Sequence, residues 1–421
     1  MQGLILAAPA SGAGKTTVTL GLLRHLRRDG VAVRSAKSGP DYIDPRFHEA
    51  ATGAPCPNLD AWAMTPDRIT AIAAADGTLI VEGAMGLFDG APPDNRGATA
   101  DLARILGLPV ILIVDAARMS GSVAPLVAGF AAHDRAVRVA GVILNNVGSP
   151  RHEAMLRRAL VAGPPVLGAL PRTPGLHHPS RHLGLVQAGE RADLADFLDT
   201  AADLVARHVD VDRLLSLAED LPPARTTPRL APPAQRIAIA RDAAFSFAYP
   251  HMLADFHDAG AEILPFSPLA DEPVPEADFV FLPGGYPELH GATLSNATLF
   301  LDSLRRAADR VPVYGECGGY MTLGEGLTDA EGTRWPMAGL LPLETSFAAR
   351  KLHLGYRSLR VEAGPMAGTW HGHEFHYAVT LRAEGQPLFT VTDAEGTALA
   401  PMGLRAGHVC GSFAHLIDRA G

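Results

Sequence analysis

From residue 2 to about residue 205, short apolar runs rich in Leu, Ile and Val alternate with longer stretches of helical periodicity. Runs of this kind, bounded by glycine and polar positions, predict buried strands. Strands separated by helices in turn predict a mostly parallel sheet covered on both faces. The strands expected are Leu4 to Ala8, Ala32 to Lys37, Thr78 to Glu82, Val110 to Asp115, Gly141 to Asn145 and Val166 to Leu170. Several end on a polar or small residue, where sheets of this class place their ligands. The pattern breaks over residues 206–235. There Leu-Pro-Pro-Ala-Arg-Thr-Thr-Pro-Arg-Leu-Ala-Pro-Pro (221 to 233) lacks apolar periodicity and reads as a linker between domains. Alternation resumes at Arg236, with strands expected near Ile237 to Ala240, Phe279 to Leu282 and Val311 to Tyr314. Shorter, antiparallel stretches are expected from about 340 to 410. The expected organisation is an α/β domain over 1–205, a linker over 206–235 and a second α/β domain over 236–421.

Two glycine-rich turns interrupt the alternation. Ala-Pro-Ala-Ser-Gly-Ala-Gly-Lys-Thr-Thr (8 to 17) lies between a strand and a helix, the layout in which backbone N–H groups at a helix start cradle phosphates. Ser11, Gly12, Ala13, Gly14, Lys15, Thr16 and Thr17 are its expected nucleotide-binding residues. The lysine would serve the outer phosphates and the Thr16 hydroxyl a magnesium ion. Pro9 stands where the usual pattern has its first glycine, and a glycine-rich turn with a surface lysine is the plain alternative. Glu82, closing Thr-Leu-Ile-Val-Glu, is a second expected magnesium ligand or else the cap of the next turn. Asp41 and Asp44, in Lys-Ser-Gly-Pro-Asp-Tyr-Ile-Asp-Pro (37 to 45), follow the second strand and are expected beside the same phosphates, Asp41 also as a magnesium ligand. Asp89, in Gly-Leu-Phe-Asp-Gly, is a candidate of the same kind. Asn145 either reads a nucleotide base with its amide or is an ordinary turn residue.

The second turn, Val-Pro-Val-Tyr-Gly-Glu-Cys-Gly-Gly-Tyr-Met (311 to 321), again reads strand, sharp turn, helix, with a nucleophile at the corner. A catalytic thiolate needs a lowered pKa, a base in reach and N–H donors facing the developing oxyanion. The helix start is expected to lower Cys317, and His415 is the expected base. Gly284 and Gly285, in Leu-Pro-Gly-Gly-Tyr-Pro-Glu, would form the oxyanion hole with Gly318. The alternative is a buried cysteine acting as a small hydrophobe. In Trp-His-Gly-His-Glu-Phe-His-Tyr (370 to 377), His371 and His373 share one strand face. They offer either a zinc site or a strand facing substrate or the other domain.

Composition narrows this picture. Apolar residues at 47% and charged residues at 19% are ordinary globular values, and a net charge of −9 argues against a nucleic-acid binder that works by backbone neutralisation. Only three lysines occur, Lys15, Lys37 and Lys351, against which the loop lysine is harder to dismiss as surface decoration. Three widely spaced cysteines without metal-ligand spacing fit a reducing cytoplasm, with Cys56 and Cys410 expected to be structural. No apolar run approaches a membrane span, and the protein is expected to be mature as written.

Together with Val-Glu-Gly-Ala-Met-Gly-Leu-Phe-Asp-Gly (81 to 90), Ala-Arg-Asp-Ala-Ala-Phe-Ser-Phe-Ala-Tyr (240 to 249) and Gly-His-Glu-Phe-His-Tyr (372 to 377), these motifs resemble one family over nearly the whole chain. It is the cobyrinic (or hydrogenobyrinic) acid a,c-diamide synthase family, glutamine-dependent amidotransferases of corrinoid biosynthesis. The resemblance implies an N-terminal P-loop NTPase-like fold, similar to dethiobiotin synthetase, and a C-terminal domain similar to class I glutamine amidotransferases. It also implies ATP and magnesium, glutamine as nitrogen donor, and a tetrapyrrole polycarboxylate activated as an acyl phosphate. Asp41, Tyr42, Asp44 and Asp89 would lie at the synthetase site. A homodimer is one expected assembly. The related triad has a glutamate two positions after the histidine, where this chain has Ile417, so another group must orient His415 or the site is a dyad. Cobyric acid synthase and a nickel-sirohydrochlorin amidating enzyme are neighbouring readings. A phosphate-loop ATPase switch fused to an inactive glutaminase-like module is a reading of another class.

Overall fold

The continuous apolar runs form the middle of a parallel sheet because both faces are covered. In the computed structural model, which describes residues 1–173, 176, 188–191 and 193–420, the chain divides into two units, Met1–Thr227 and Pro228–Gly421. Unit 1 runs β1 (Gln2–Ala7), α1 (Lys15–Arg28), β2 (Val33–Ser38), α2 (Asp44–Thr52), β3 (Asn58–Leu59), α3 (Pro66–Ala73), β4 (Thr78–Glu82) and α4 (Thr99–Leu106). It continues through β5 (Val110–Asp115), α5 (Val123–His133), β6 (Val139–Val147), α6 (Pro150–Ala159), β7 (Val166–Pro171), α7 (Leu194–His208), α8 (Val211–Leu215) and β8 (Glu219–Asp220). The strand order is β3-β2-β4-β1-β5-β6-β7, all parallel, with β8 added antiparallel to the start of β1. In β5 Val110 to Val114 are fully buried and only the final Asp115 is exposed, which brings the chain out at the carboxyl edge where the loops gather. In α1 Val18, Leu22 and Leu26, four residues apart, form one buried stripe. Each such side chain contributes about 1.5–3 kcal/mol of burial.

The stretch expected as a linker begins differently. Residues 206–220 complete α7 and form α8 and β8, and Leu214 is fully buried. A two-residue strand is too short to leave a periodic signature, so the pairing of Gln2 with Asp220 is invisible in sequence. The proline-rich residues 221–233 hold no helix or strand.

Unit 2 opens with β9 (Arg236–Ala240), α9 (Pro250–Asp258), β10 (Glu262–Phe266), β11 (Phe279–Leu282), α10 (Gly291–Asn296), α11 (Thr298–Ala308), β12 (Val313–Glu316) and α12 (Gly318–Leu323). It continues with β13 (Gly326–Thr328), β14 (Arg334–Pro336), β15 (Leu343–Ser346), β16 (His353–Val361), β17 (Gly368–His376) and β18 (Val379–Ala383). The last strands are β19 (Thr390–Thr392), β20 (Leu404–Ala406), β21 (Val409–Ser412) and β22 (His415–Arg419). The main sheet has the order β10-β9-β11-β12-β21-β20, parallel except for β20. Two smaller sheets, β14-β13-β15-β18 and β19-β16-β17-β22, take up the late strands. β21 pairs with β12 up to Glu316 opposite Ser412, and the chain then turns through Phe413 and Ala414 into β22. That turn delivers His415 to the carboxyl end of β12. Among the described residues no helix is long and apolar enough to cross a membrane.

Candidate active sites

In unit 1 the loop between β1 and α1 is braced from the side by the segment after β4. Gly83 N donates to Leu6 O and Leu87 N to Ala8 O, both at 2.8 Å. Gly12 and Gly14 have positive φ (81° and 88°), and Gly14 forms the N-cap of α1. A Cβ on Gly14 would lie 2.2 Å from Asn145 Nδ2, the same nitrogen that donates to Ala13 O at 2.9 Å. The Asn145 amide therefore holds the loop from behind. Ser11 and Gly12 are exposed, Ala13 is buried, and Thr16 and Thr17 open α1. Lys15 Nζ donates to Met85 O at 2.5 Å, and burial lowers its pKa against the pull of Glu82. Met85 and Asp89 lie on the bracing segment, where Asp89 Oδ2 accepts from Gly86 N at 2.9 Å.

The acidic residues meet on Thr16. Its Oγ1 donates to Glu82 Oε1 at 2.7 Å and lies 3.3 Å from Asp44 Oδ2. Hydroxyl and carboxylate oxygens gathered at this spacing are a hard donor set that suits magnesium. Lys37, for which the sequence offered no role, sits among them: Nζ donates to Glu82 Oε1 at 2.9 Å, bonds Asp44 Oδ2, and lies 3.7 Å from Asp41 Oδ2. Burial alone would lower Lys37, but Asp44, Glu82 and Asp41 together raise it well above its ordinary value. Burial and the charge of Asp44 push Asp41 up to about 6, while its Oδ1 accepts from Ile43 N (2.8 Å) and Asp44 N (3.2 Å). Asp44 thus stands nearer Thr16, and Asp41 shapes the turn that carries Tyr42. Behind Glu82 lies a buried relay. Glu82 Oε2 is 2.7 Å from His48 Nε2, and His48 Nδ1 is 3.5 Å from Cys56 Sγ. Burial works against charge on His48, yet Cys56 and Glu82 raise it to about 10. Burial likewise opposes charge on Glu82, which Lys37 and His48 nevertheless hold far below the usual carboxylate range. Cys56, expected only as packing, is part of this chain of polar contacts.

In unit 2 Cys317 occupies a strained corner, φ 46° and ψ −105°, between β12 and α12. Its N–H donates to Ser412 O at 2.8 Å, and its carbonyl accepts from Met321 N at 3.0 Å. The expected lowering of the thiol is not what this corner does. Burial raises it, Glu288 adds to this, and the Gly318 N–H hydrogen bond does not offset them. With only six residues, α12 supplies too little dipole to reverse desolvation. The resting group is a thiol that must give up its proton. Gly284 explains how this can happen: a Cβ there would stand 3.3 Å from Cys317 Cβ, 3.1 Å from His415 Nε2 and 2.3 Å from His415 Cε1. Thiol and imidazole thus flank one bare backbone position. Gly285 N lies 3.0 Å from where a Gly318 Cβ would be, which groups the three expected oxyanion glycines at the same corner.

His371 and His373 do not form the cluster that their spacing offered. The residues brought together are His353, Glu374 and His376, with ligand atoms within 4.8 Å of one another. Arg357 already engages Glu374 Oε2 at 2.7 and 3.0 Å, and His376 Nε2 lies 3.0 Å from Oε1. His373 instead lies opposite His415 in the β17–β22 pairing. Burial, with His415 and Arg357 near, lowers it to about 3.

Comparison with known proteins identifies two domains in the chain. Residues 4–186 match the CobQ/CobB/MinD/ParA nucleotide binding domain, and residues 236–420 match the CobB/CobQ-like glutamine amidotransferase domain. The chain is 55% identical over 436 residues to hydrogenobyrinate a,c-diamide synthase of Brucella abortus, covering 100% of this chain and 99% of that one. To the proteins of the same name from Rhizobium meliloti and Rhodobacter capsulatus it is 56% and 54% identical. These matches cover 99% of this chain and 99% and 98% of theirs. The chain belongs to the hydrogenobyrinate a,c-diamide synthase family, amidoligases in which a nucleotide-binding domain precedes a glutamine amidotransferase domain.

Proposed function

We propose that the protein amidates the a- and c-acetate carboxylates of hydrogenobyrinic acid, using ATP for activation and glutamine as nitrogen donor. The observation that carries this reading is the presence, in one chain, of the Lys15–Thr16–Glu82 cluster and the Cys317–His415–Gly284 corner. A carboxylate does not condense with ammonia because its oxygen is a poor leaving group. Transfer of the γ-phosphoryl group of ATP to that oxygen gives an acyl phosphate, which ammonia attacks with loss of phosphate. Lys15 and the loop N–H groups stabilise the charge on the transferring group. Thr16, Glu82 and Asp44 would hold magnesium, with Asp41 beside them; the metal supplies charge neutralisation at the phosphates. Asp41, Tyr42 and Asp89 are assigned to the substrate side of this site.

At the other site His415 takes the Cys317 proton, and the sulfur adds to the side-chain amide carbon of glutamine. The N–H groups of Gly285 and Gly318 receive the oxyanion. His415 returns the proton to the leaving nitrogen, ammonia departs, and water cleaves the thioester to glutamate. Ammonia kept from water stays unprotonated and nucleophilic. Incubating hydrogenobyrinic acid with ATP, magnesium and glutamine, followed by mass spectrometry, is expected to show two successive carboxylate-to-amide conversions. Conversion of four carboxylates, or of none, would overturn the substrate assignment. We place the protein in the cytoplasm, as a homodimer.

A further inference from the structure

The base at the thiol corner needs a partner on its second nitrogen. The carbon skeleton two positions along β22 cannot supply one, because Ile417 is apolar and fully buried. Three carboxylates face the corner: Glu288, Glu316 and Glu374 all act on the Cys317 thiol. Glu374 is engaged by Arg357 and His376. Glu316, buried at the end of β12, places Oε2 3.6 Å from His415 Nδ1. Its other oxygen is fixed from two directions, accepting from Leu416 N at 3.0 Å and from Tyr314 Oη at 3.1 Å. The Leu416 bond ties the carboxylate to the backbone of the residue beside the histidine, so side chain and base move together. These bonds leave Oε2 turned toward the imidazole.

We propose that Glu316, the residue immediately before the nucleophile, is the positioning carboxylate of the glutaminase site, holding His415 with Nδ1 protonated and Nε2 as the acceptor of the thiol proton. This rests on the glutaminase reading of Cys317. When the Cys317 proton moves to Nε2, the imidazolium forms 3.6 Å from a carboxylate, and a small rotation of the ring closes that gap to a hydrogen bond. The proton then goes to the amide nitrogen of glutamine as its C–N bond breaks. Glu316 never takes it up.

The test is Glu316→Gln in the full chain, since the amide oxygen still accepts from Leu416 N while the charge is gone. Glutamine-dependent kcat is expected to fall about 10- to 100-fold with KM for glutamine within about 2-fold, and ammonia-dependent synthesis to be unchanged. A second readout separates positioning from simple charge. Glu288, Glu316 and Glu374 repel the thiolate directly, with His373 and Arg357 nearby. Loss of one repelling charge alone would shift alkylation of Cys317 by iodoacetamide to lower pH, whereas loss of the imidazolium's partner shifts it to higher pH. A shift to lower pH, an unchanged kcat, or a parallel loss of ammonia-dependent synthesis overturns the proposal. Should the variant fold poorly, Tyr314→Phe keeps the carboxylate and its Leu416 N bond but removes one of the two bonds that fix Oε1, and is expected to lower kcat by about 3- to 10-fold; no change there also counts against the assignment. A wild-type protein lacking glutaminase activity would instead defeat the reading of Cys317 itself, a separate failure.

Discussion

Lys37 holds the acidic cluster together, since its ammonium touches both Glu82 and Asp44 from a site only 4% exposed. Removing one member of a buried ion group leaves the others uncompensated, so Lys37→Met is expected to cost about 3–5 kcal/mol. Thermal denaturation against the wild type measures this; a loss within about 0.5 kcal/mol would mean the cluster is solvated. Sequence draws attention to Lys15 through its motif, whereas Lys37 opens the 37–45 motif without a role of its own, and only folding brings Lys37 and His48 to Glu82, with Cys56 behind His48. A second residue-scale prediction concerns acid. His373 is lowered from 6.5 to about 3 by burial, so below about pH 6.5 the unfolded chain binds a proton that the folded chain refuses until about pH 3. Stability therefore falls on acidification through that window, by at most ~1.4 kcal/mol per pH unit from this group. His373→Phe should flatten the denaturant-measured slope between pH 6 and 4; an unchanged slope would exclude His373 as a source.

At the scale of elements, the loop from β1 to α1 and the corner from β12 to α12 each depend on one position without a side chain. Gly14→Ala adds a carbon at φ 88° against Asn145, a cost of about 1–3 kcal/mol concentrated in the loop. ATP-dependent synthesis should be lost while glutamine hydrolysis by unit 2 persists; synthesis at wild-type rate would show the loop is not the phosphate cradle. Gly284→Ala places its carbon 2.3 Å from His415 Cε1 and should have the opposite effect, with glutaminase activity down about 100-fold or more and ammonia-dependent synthesis kept. The strands that sequence locates best, such as Val110–Asp115 and Thr78–Glu82, are buried on both faces and read as unbroken apolar runs. β10, Glu-Ile-Leu-Pro-Phe, escapes because its Pro265 argues against a central strand, and the structure places it at an edge where proline is tolerated. β3 and β8, of two residues each, carry no period at all. Cys317 and His415 stand out as candidates from their turns, but Glu316 does not. Its role depends on the β21–β22 turn, which sets residues a hundred positions apart against each other.

The chain divides into two units, each with its own main, mostly parallel sheet and its own candidate site. If ammonia made at Cys317 is what the synthetase site consumes, glutamate release and amide formation should match one for one at saturating substrates. A large excess of glutamate would mean that the ammonia escapes to water. The most direct test of the account replaces Cys317 by alanine and feeds the variant either glutamine or ammonium, with ATP, magnesium and hydrogenobyrinic acid, following the product by mass spectrometry. The account predicts that the diamide made from glutamine falls by roughly 1,000-fold or more, while that made from ammonium stays within about 2-fold of wild type. Undiminished glutamine-dependent diamide formation by Cys317→Ala would contradict it.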